Sequence, residues 1–271
     1  MQTIRGKKAL ITGAASGIGR ALALALAREG ADLYLLDIDA ASLAETAREA
    51  RALGAAVATV VCDLTRSAAA DAAVGAVLAR WGAVHILVNN AGTAYYGATH
   101  DMPAAEWERL LALNLLAPMH LTRALIPTLL AQEEAHVLNV CSIFGLVPMR
   151  KGAAYQASKF GLVGFSAALR AEYGRDFGVT ALCPGFVRTA LLQNFATGDP
   201  GKKRHEIPVW LTTTPENVAA IALRAIRMNK GLVIVTPAAR LLWWIGRLSP
   251  GLLDWLTRQG WRGKRRKPAA T

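Results

Sequence analysis

The sequence predicts a single α/β domain in which helices cover both sides of a doubly wound, seven-stranded parallel sheet. Apolar runs of strand length alternate with Ala-rich helical segments almost from the start, and these runs are apolar on both faces. Strands of this kind, separated by helices, are typical of parallel sheets buried on both sides. The chain has 271 residues, 53% of them hydrophobic and 18% charged, so it is large and apolar enough to bury one core.

Periodicity places the individual elements. Short runs rich in Val, Ile and Leu predict strands at residues 8–12, 31–36, 57–62, 84–88, 137–141, 179–183 and 232–235. Apolar residues at helical spacing predict helices at residues 19–29, 40–52, 67–81, 104–130, 154–173 and 215–228. Thr213-Thr-Pro-Glu216 has the spacing of a capping box before the last of these helices.

Three regions of different character follow from this pattern. Residues 1–236 are predicted to form the domain. Within it, residues 186–212 show no clear period, and a connection of that length is usually functional. Residues 237–271 are predicted to form an amphipathic C-terminal extension rich in Trp and Arg.

Charge and composition exclude several classes of protein. The net charge is +12, and residues 240–267 carry +7 of it, with eight basic residues against Asp254. The main body is only mildly basic, which argues against a nucleic-acid-binding surface. The three cysteines are far apart and predict reduced thiols, and the five histidines show no metal-binding spacing. The first strand begins too early for a signal peptide, and no uncharged apolar run has the length of a membrane span, so we expect a cytoplasmic protein.

A glycine-rich turn follows the first predicted strand. Thr12-Gly13-Ala-Ala-Ser16-Gly17-Ile18-Gly19 leads directly into a helix of Ala and Leu. Glycines allow a tight turn and close approach of the backbone to a pyrophosphate, whose charge the helix N-terminus attracts. The turn therefore predicts a dinucleotide site, with the spacing Gly-x-x-x-Gly-x-Gly.

This spacing and the motifs that follow it resemble the short-chain dehydrogenase/reductase family in its compact form. The matching motifs run in order from Thr12 to Thr189. They are the glycine turn, Asp63, Asn89-Asn90-Ala91-Gly92, Asn114, Ser142, Tyr155-x-x-x-Lys159, Pro184-Gly185 and Thr189. The resemblance implies a Rossmann fold and an oxidoreductase that uses a nicotinamide dinucleotide.

The resemblance also implies a set of cofactor-binding positions, which agree with the rule that ligands lie outside the carboxyl ends of parallel strands. They are Gly13, Ser16, Gly17, Ile18, Gly19, Asp37, Asp63, Leu64, Asn90, Ala91, Gly92, Tyr155, Lys159, Pro184, Gly185, Val187 and Thr189. Asp37 ends the second strand, where a carboxylate accepts hydrogen bonds from ribose hydroxyls and repels a ribose phosphate. Since no arginine follows and Ser16 is neutral, NAD is predicted rather than NADP. The alternative is that Asp37 only caps its turn.

Tyr155 and Lys159 stand four residues apart in a predicted helix, which brings a phenol and an ammonium within reach of each other. The ammonium is expected to lower the pKa of the phenol, so that Tyr155 can serve as general acid/base. The resemblance implies that Ser142 donates a hydrogen bond to the substrate oxygen and that Asn114 holds a water on a proton path from Lys159. Taken singly, each residue has a structural alternative: a packed Tyr, a turn Ser or a helix-interior Asn.

The residues expected around the substrate are mostly apolar. They are Ser142, Phe144, Met149, Phe186, Leu192, Phe195 and Trp210. Such a lining favours a hydrophobic secondary alcohol or its ketone, lipid-like or steroid-like, over a sugar; the alternative is that these residues only pack the loop onto the core. The alternative functions are an NADPH-dependent 3-ketoacyl reductase and a non-catalytic dinucleotide-binding scaffold.

Two kinds of macromolecular partner are considered. Residues 239–267 combine four tryptophans with basic residues, which suits contact with an anionic membrane surface, although a lid or a subunit-packing segment would share these features. Resemblance to the family implies a homodimer or homotetramer paired through the helices predicted at 104–130 and 154–173.

Overall fold

In the computed structural model, which describes residues 1–189, 196–197 and 208–259, seven parallel strands form one sheet. The strands are β1 Lys8–Thr12, β2 Asp32–Asp37, β3 Val57–Val61, β4 Ile86–Asn89, β5 His136–Val140, β6 Gly178–Cys183 and β7 Leu232–Ile234. Their order across the sheet is β7-β6-β5-β4-β1-β2-β3. The order reverses between β1 and β4, so a crevice opens there at the carboxyl edge. The predicted fold class is confirmed.

Helices pack on both faces of this sheet. They are α1 Gly17–Arg28, α2 Ala40–Ala52, α3 Ser67–Trp81, α4 Ala104–Leu111, α5 Ala117–Leu130, α6 Ala153–Tyr173, α7 Pro215–Arg227, α8 Pro237–Leu248 and α9 Pro250–Gln259. One core cluster joins α1, α2 and α7 to the sheet through residues such as Leu26, Leu43 and Ile226. A second joins α3 and α5 to the other face through Val77 and Leu125.

The helix predicted at residues 104–130 is interrupted at its centre. Residues Ala112–Leu116 form a π-helical turn between α4 and α5. By length and composition alone, Ala104–Leu130 could cross a membrane, but Leu121, Leu125 and Leu129 are buried in the core beside α3. In this fold the segment is therefore a core helix.

The predicted long loop contains short strands. Phe186–Val187 pairs with Thr212–Thr213, and Tyr95–Tyr96 pairs with Ala196–Thr197. The helix after the loop is capped one residue later than the capping-box spacing predicts, because Thr214 Oγ1 accepts a hydrogen bond from the Asn217 amide at 3.2 Å.

The described part of the C-terminal extension, residues 237–259, forms two helices that pack onto the domain. Ala239 of α8 and Leu253 of α9 are buried in one apolar cluster with Ile143 and Val147. The two helices approach closely at Gly246, where a Cβ would lie 2.7 Å from Leu253 Cδ2. The extension therefore shares a core with the segment that follows β5.

A buried histidine makes the fold sensitive to acid. His136 Nε2 lies 2.8 Å from Thr180 Oγ1, which donates its own hydrogen to the Lys230 carbonyl, so the imidazole donates through Nε2. Nδ1 has no partner within the described residues. Burial lowers the pKa of His136 from 6.5 to about 3. Because this pKa lies below the unfolded value, the stabilisation is complete above pH 6.5 and is lost as the pH falls toward 3.

We expect the free energy of unfolding to fall less between pH 6.5 and pH 5 in His136→Gln than in the wild type. Glutamine can still donate to Thr180 but does not titrate. Neutral His136 accounts for a loss of about 2 kcal/mol in the free energy of unfolding between pH 6.5 and pH 5. Urea titrations at both pH values measure the difference, and an equal loss in the wild type and the variant would contradict this assignment.

Candidate active site

The turn between β1 and α1 requires glycine for two physical reasons. Gly13 has a φ of +66°, and a Cβ there would lie 2.8 Å from the Ala91 Cα. A Cβ at Gly19 would lie 1.9 Å from the Gly13 carbonyl oxygen. Ser16 precedes α1 without a capping side-chain hydrogen bond, and the first turn of α1 holds no acidic residue. The turn thus offers a helix N-terminus suited to a pyrophosphate.

Side chains tie the end of β1 to the end of β4. Thr12 Oγ1 accepts hydrogen bonds from the amides of Asn90 and Ala91, at 2.9 and 3.0 Å. Asn90 Nδ2 donates to the carbonyls of Thr12 and Gly13. The Asn90 side chain therefore supports the glycine turn, and its neighbour Asn89 points into the core, where it donates to Asn139.

Asp37 stands at the end of β2 beside the same turn. Its Oδ2 accepts from the Ala15 amide at 2.9 Å, and its Oδ1 accepts from the Asp39 amide at 3.0 Å. Both oxygens keep further lone pairs, so these bonds orient the carboxylate without exhausting its acceptor capacity. Asp37 therefore has the turn-capping role considered from the sequence and keeps acceptor capacity for a ribose, which stays a prediction.

The remaining predicted cofactor positions line the same edge. Asp63 accepts from the amide and hydroxyl of Thr65, which lowers the pKa of its carboxyl, and Leu64 is buried. A Cβ at Gly17 would lie 3.2 Å from Thr189 Cγ2, so Thr189 lies against the glycine turn. Val187 is buried, whereas the carbonyl of Pro184 accepts from the Ile143 amide at 2.8 Å.

Tyr155 and Lys159 lie on adjacent turns of α6. Lys159 Nζ is 5.9 Å from the centroid of the Tyr155 ring and donates to the Val140 carbonyl at 3.0 Å. Burial raises the pKa of Tyr155, and a hydrogen bond with the Ser142 side chain opposes this shift. Burial also lowers the pKa of Lys159. In the chain alone, the pKa of the phenol therefore moves in the direction opposite to the acidification expected from the sequence.

Ser142 faces Tyr155 from the end of β5. Its Oγ accepts from the Phe144 amide at 3.1 Å and caps the short 3-10 helix Ile143–Gly145. We call residues 142–145 the serine turn. A Cβ at Gly145 would lie 2.6 Å from the Lys159 carbonyl oxygen, so the turn packs directly on α6. Ser142 can therefore accept the hydrogen bond that caps this short helix and still donate its own hydrogen, so the turn role and the substrate-binding role considered from the sequence are compatible.

Asn114 lies in the π-helical turn, with its side chain bound by other parts of the chain. Oδ1 accepts from the Thr93 amide at 2.8 Å, and Nδ2 donates to the Thr93 carbonyl at 2.8 Å and to Ser158 Oγ at 3.2 Å. Both amide hydrogens are thus used within the protein, which leaves only an oxygen lone pair of this side chain for the expected water. Lys159 Nζ and Asn114 Oδ1 both approach Gly92, at 3.7 and 3.1 Å from its ideal Cβ position.

Three residues of this centre were not singled out from the sequence. Ser158 is buried and connects Asn114 to α6 by donating to the Tyr155 carbonyl at 2.7 Å. Cys141, directly after β5, and Cys183, at the end of β6, are buried beside Lys159, and a hydrogen bond between their thiols is the main cause that raises the pKa of Cys183. The sequence offered one signal for Ser158, which is its position directly before Lys159.

The predicted substrate residues are only partly brought together. The rings of Phe144 and Phe186 meet edge to face, with centroids 5.7 Å apart. Met149 is bound through its backbone to the side chain of Gln156 in α6. Leu192 and Phe195 lie outside the described residues, as does the side chain of Trp210.

A dinucleotide-binding sheet with a Tyr–Lys–Ser centre beside its glycine turn defines a class of nicotinamide-dependent oxidoreductases. The family model described as short chain dehydrogenase matches residues 7–199. The chain belongs to the short-chain dehydrogenase/reductase family, and it is an oxidoreductase of the kind that acts on CH–OH groups.

Individual relatives agree with this assignment. SadH of Mycobacterium tuberculosis is 40% identical over 73% of this chain and 73% of its own length. A short-chain dehydrogenase/reductase from Burkholderia phymatum, solved with NAD, is 29% identical, with a TM-score of 0.82 over 93% of this chain and 96% of that one. A metagenomic short-chain oxidoreductase solved with NADP is 34% identical, with a TM-score of 0.71 over 86% and 98%. A nicotinamide dinucleotide is therefore the cofactor class.

Proposed function

We propose that the protein interconverts a hydrophobic secondary alcohol and its ketone, with NAD as the hydride carrier and Tyr155 as the general acid/base. The observation that carries this proposal is the convergence of Tyr155, Ser142 and Lys159 beside the glycine turn, with a hydrogen bond joining the first two. A nicotinamide bound at this edge would supply the hydride carrier, and its oxidised ring would add a positive charge to the site.

The chain's own residues handle the proton and the substrate oxygen. In oxidation, the phenolate of Tyr155 takes the hydroxyl proton as the hydride leaves the carbon. In reduction, the phenol returns that proton to the oxygen of the new alcohol. The Ser142 hydroxyl can donate to the substrate oxygen, where negative charge develops.

Burial reinforces the protonated state of Tyr155, which a phenol with an ordinary pKa of about 10 already holds at neutral pH. Burial raises this pKa further, so the phenol stays protonated and is ready to act as an acid. Ionisation for the oxidative direction requires a nearby positive charge, and Lys159 is the cation closest to the ring on α6. Alcohol oxidation is therefore expected to gain more from rising pH than ketone reduction does.

Asp37 supports NAD as the preferred cofactor. Its carboxylate is oriented beside the glycine turn by the amides of Ala15 and Asp39, where it would repel a ribose phosphate. The relative solved with NADP keeps an alternative open, an NADPH-dependent 3-ketoacyl reductase. The two proposals predict opposite cofactor preferences: the first predicts a preference for NAD, and the second predicts a preference for NADPH.

We expect Asp37→Asn to lower the NAD-to-NADP ratio of kcat/KM by at least about tenfold. Asparagine has nearly the same size and still accepts a backbone hydrogen bond, but it has no charge. The ratio is measured with both cofactors on one substrate, so a general loss of turn geometry cancels. Wild-type protein that favours NADP would refute the NAD proposal.

The aromatic and apolar residues beside Ser142 support a hydrophobic substrate. Phe144 and Phe186 pack ring to ring, and Ile143 and Val147 are buried in the adjoining cluster. A screen of secondary alcohols and ketones of increasing chain length, followed by nicotinamide absorbance, tests this. Activity confined to short polar substrates would contradict it.

We also propose that two copies pair through the outer face of α6. This face carries Ala153, Ala157, Phe160 and Gly164 without a charge, and Phe160 is 45% exposed. Phe160→Glu is expected to lower the mass measured by light scattering to that of one chain. Met228→Glu, which adds the same charge at an exposed position of similar character, is the control. An oligomer that survives Phe160→Glu would place the interface elsewhere.

A further inference from the structure

The outer faces of α8 and α9 carry large apolar side chains exposed to solvent. They are Leu241, Trp244 and Leu248 on α8, and Leu252, Trp255 and Leu256 on α9. Leu248 is 78% exposed and Leu241 is 64% exposed. The spacing within each helix places each set on one helical face. We call these six residues the C-terminal apolar surface.

The C-terminal apolar surface belongs to helices that are fixed in place. Leu242 and Ile245 pack against the core cluster that holds Ala239 and Leu253. Thr236 caps α8 by accepting from the Ala239 amide. Both helices thus pack on the domain through an inner face, and the leucines and tryptophans of their outer faces are exposed among the residues that the structure describes.

Basic side chains accompany this surface. Arg240 and Arg247 of α8 are exposed, and Arg258 of α9 forms an ion pair with Asp254. The sequence that continues past α9 adds Arg262, Lys264, Arg265, Arg266 and Lys267. Tryptophan and leucine combined with many cations match the boundary of an anionic bilayer, where apolar side chains enter the headgroup region and cations meet lipid phosphates.

We propose that the C-terminal apolar surface binds the face of an anionic lipid bilayer. Charge separates this occupant from a second copy of the chain. Symmetric pairing through α8 and α9 would bring two copies of Arg240, Arg247 and Arg258 together in chains whose residues 240–267 have a sequence charge of +7, whereas an anionic bilayer would neutralise these cations. A bilayer also suits both tryptophans, since the indole has an apolar body and a polar N–H.

The same helices pack against residues that lie next to the candidate active site. Ala239 and Leu253 share their cluster with Ile143 of the serine turn and with Val147. A bilayer bound to α8 and α9 would therefore lie near Ile143 and Val147, the apolar residues that follow Ser142. Resting on the proposed function, this placement would let a membrane-dissolved alcohol or ketone reach Tyr155 from the lipid phase.

The test uses the full chain and vesicles, without any turnover. Co-sedimentation is measured with vesicles of phosphatidylcholine alone and with vesicles that also contain phosphatidylglycerol. Wild-type protein is expected to bind the second kind more tightly, by at least about tenfold. The triple variant Leu241→Gln, Leu248→Gln, Leu252→Gln is expected to lose at least about tenfold of that binding. Met228→Gln, at an exposed apolar position outside α8 and α9, should leave it unchanged.

Several results would overturn the proposal. One is wild-type protein that does not distinguish the two kinds of vesicle, and another is a triple variant that binds like the wild type. A triple variant whose mass by light scattering falls, with vesicle binding unaltered, would make this surface a subunit interface. Thermal melting and NAD binding establish that the triple variant is folded, and Leu248→Gln alone, at the most exposed position, provides a milder second variant.

The substrate part is checked separately. With the same proteins, turnover of an alcohol dissolved in phosphatidylglycerol vesicles is compared with turnover of a water-soluble alcohol. The triple variant should lose several-fold on the first and nothing on the second. Absence of all turnover in wild-type protein would refute the proposed function and leave the vesicle result standing.

Discussion

Tyr155→Phe is expected to lower kcat by at least about a hundredfold while NAD binding is retained. The substitution removes only the phenolic hydroxyl, which is the group proposed to exchange a proton with the substrate oxygen. The ring keeps its packing against the buried cluster of Tyr95, Met102, Leu110 and Ala154, so the fold should remain intact. Steady-state kinetics and a titration of NAD against protein fluorescence measure the two effects independently.

Tyr173→Phe is the matched control. Tyr173 lies at the far end of α6, where its ring stacks on Phe177 at a centroid distance of 5.3 Å. The same chemical change there should leave kcat unaltered. Turnover that persists in Tyr155→Phe would remove Tyr155 from the proton transfer and with it the proposed mechanism.

Gly19→Ala should impair cofactor binding more than any other one-methyl change in the glycine turn. The added Cβ would lie 1.9 Å from the Gly13 carbonyl oxygen and 2.4 Å from Asn90 Nδ2, so backbone on one side has to move. We expect NAD affinity to fall by at least about tenfold, because the turn no longer fits a pyrophosphate. The free energy of unfolding should fall by about 1–3 kcal/mol.

Gly75→Ala separates this clash from the general effect of adding a methyl group. Gly75 is an exposed residue of α3, and nothing lies within 4 Å of its ideal Cβ position. This control should be stabilised by up to about 1 kcal/mol, because alanine favours the helix, with NAD binding unchanged. Equal NAD affinity in Gly19→Ala and wild-type protein would show that the turn does not bind the cofactor.

The strands and helices were predictable because each has a local signature. The second strand, predicted at residues 31–36, is observed at Asp32–Asp37, and α2 is observed where it was predicted. Apolar runs and helical spacing depend only on residues near in sequence. Family resemblance supplied the positions of Asn114, Ser142, Tyr155 and Lys159, which local patterns alone do not connect.

Other features depend on contacts between distant parts of the chain. The π-helical turn at Ala112–Leu116 has no period of its own, and its Asn114 is bound by Thr93 and Ser158. The neighbouring thiols of Cys141 and Cys183 follow from the register of β5 and β6, in which Val140 lies opposite Leu182. The direction of the Tyr155 pKa shift required knowledge of burial, which the spacing of two residues does not give.

The packing of α8 and α9 on the serine turn has a consequence for how such enzymes diverge. The glycine turn and Asp37 lie on β1 and β2, whereas the C-terminal helices join the cluster of Ile143 and Val147. Substitutions in α8 and α9 are therefore expected to alter the surroundings of the serine turn more than the turn between β1 and α1. Under the proposed function, a change of substrate preference is therefore expected from substitutions in α8 and α9, two helices of about twenty residues together that lie outside the β1–α1 turn.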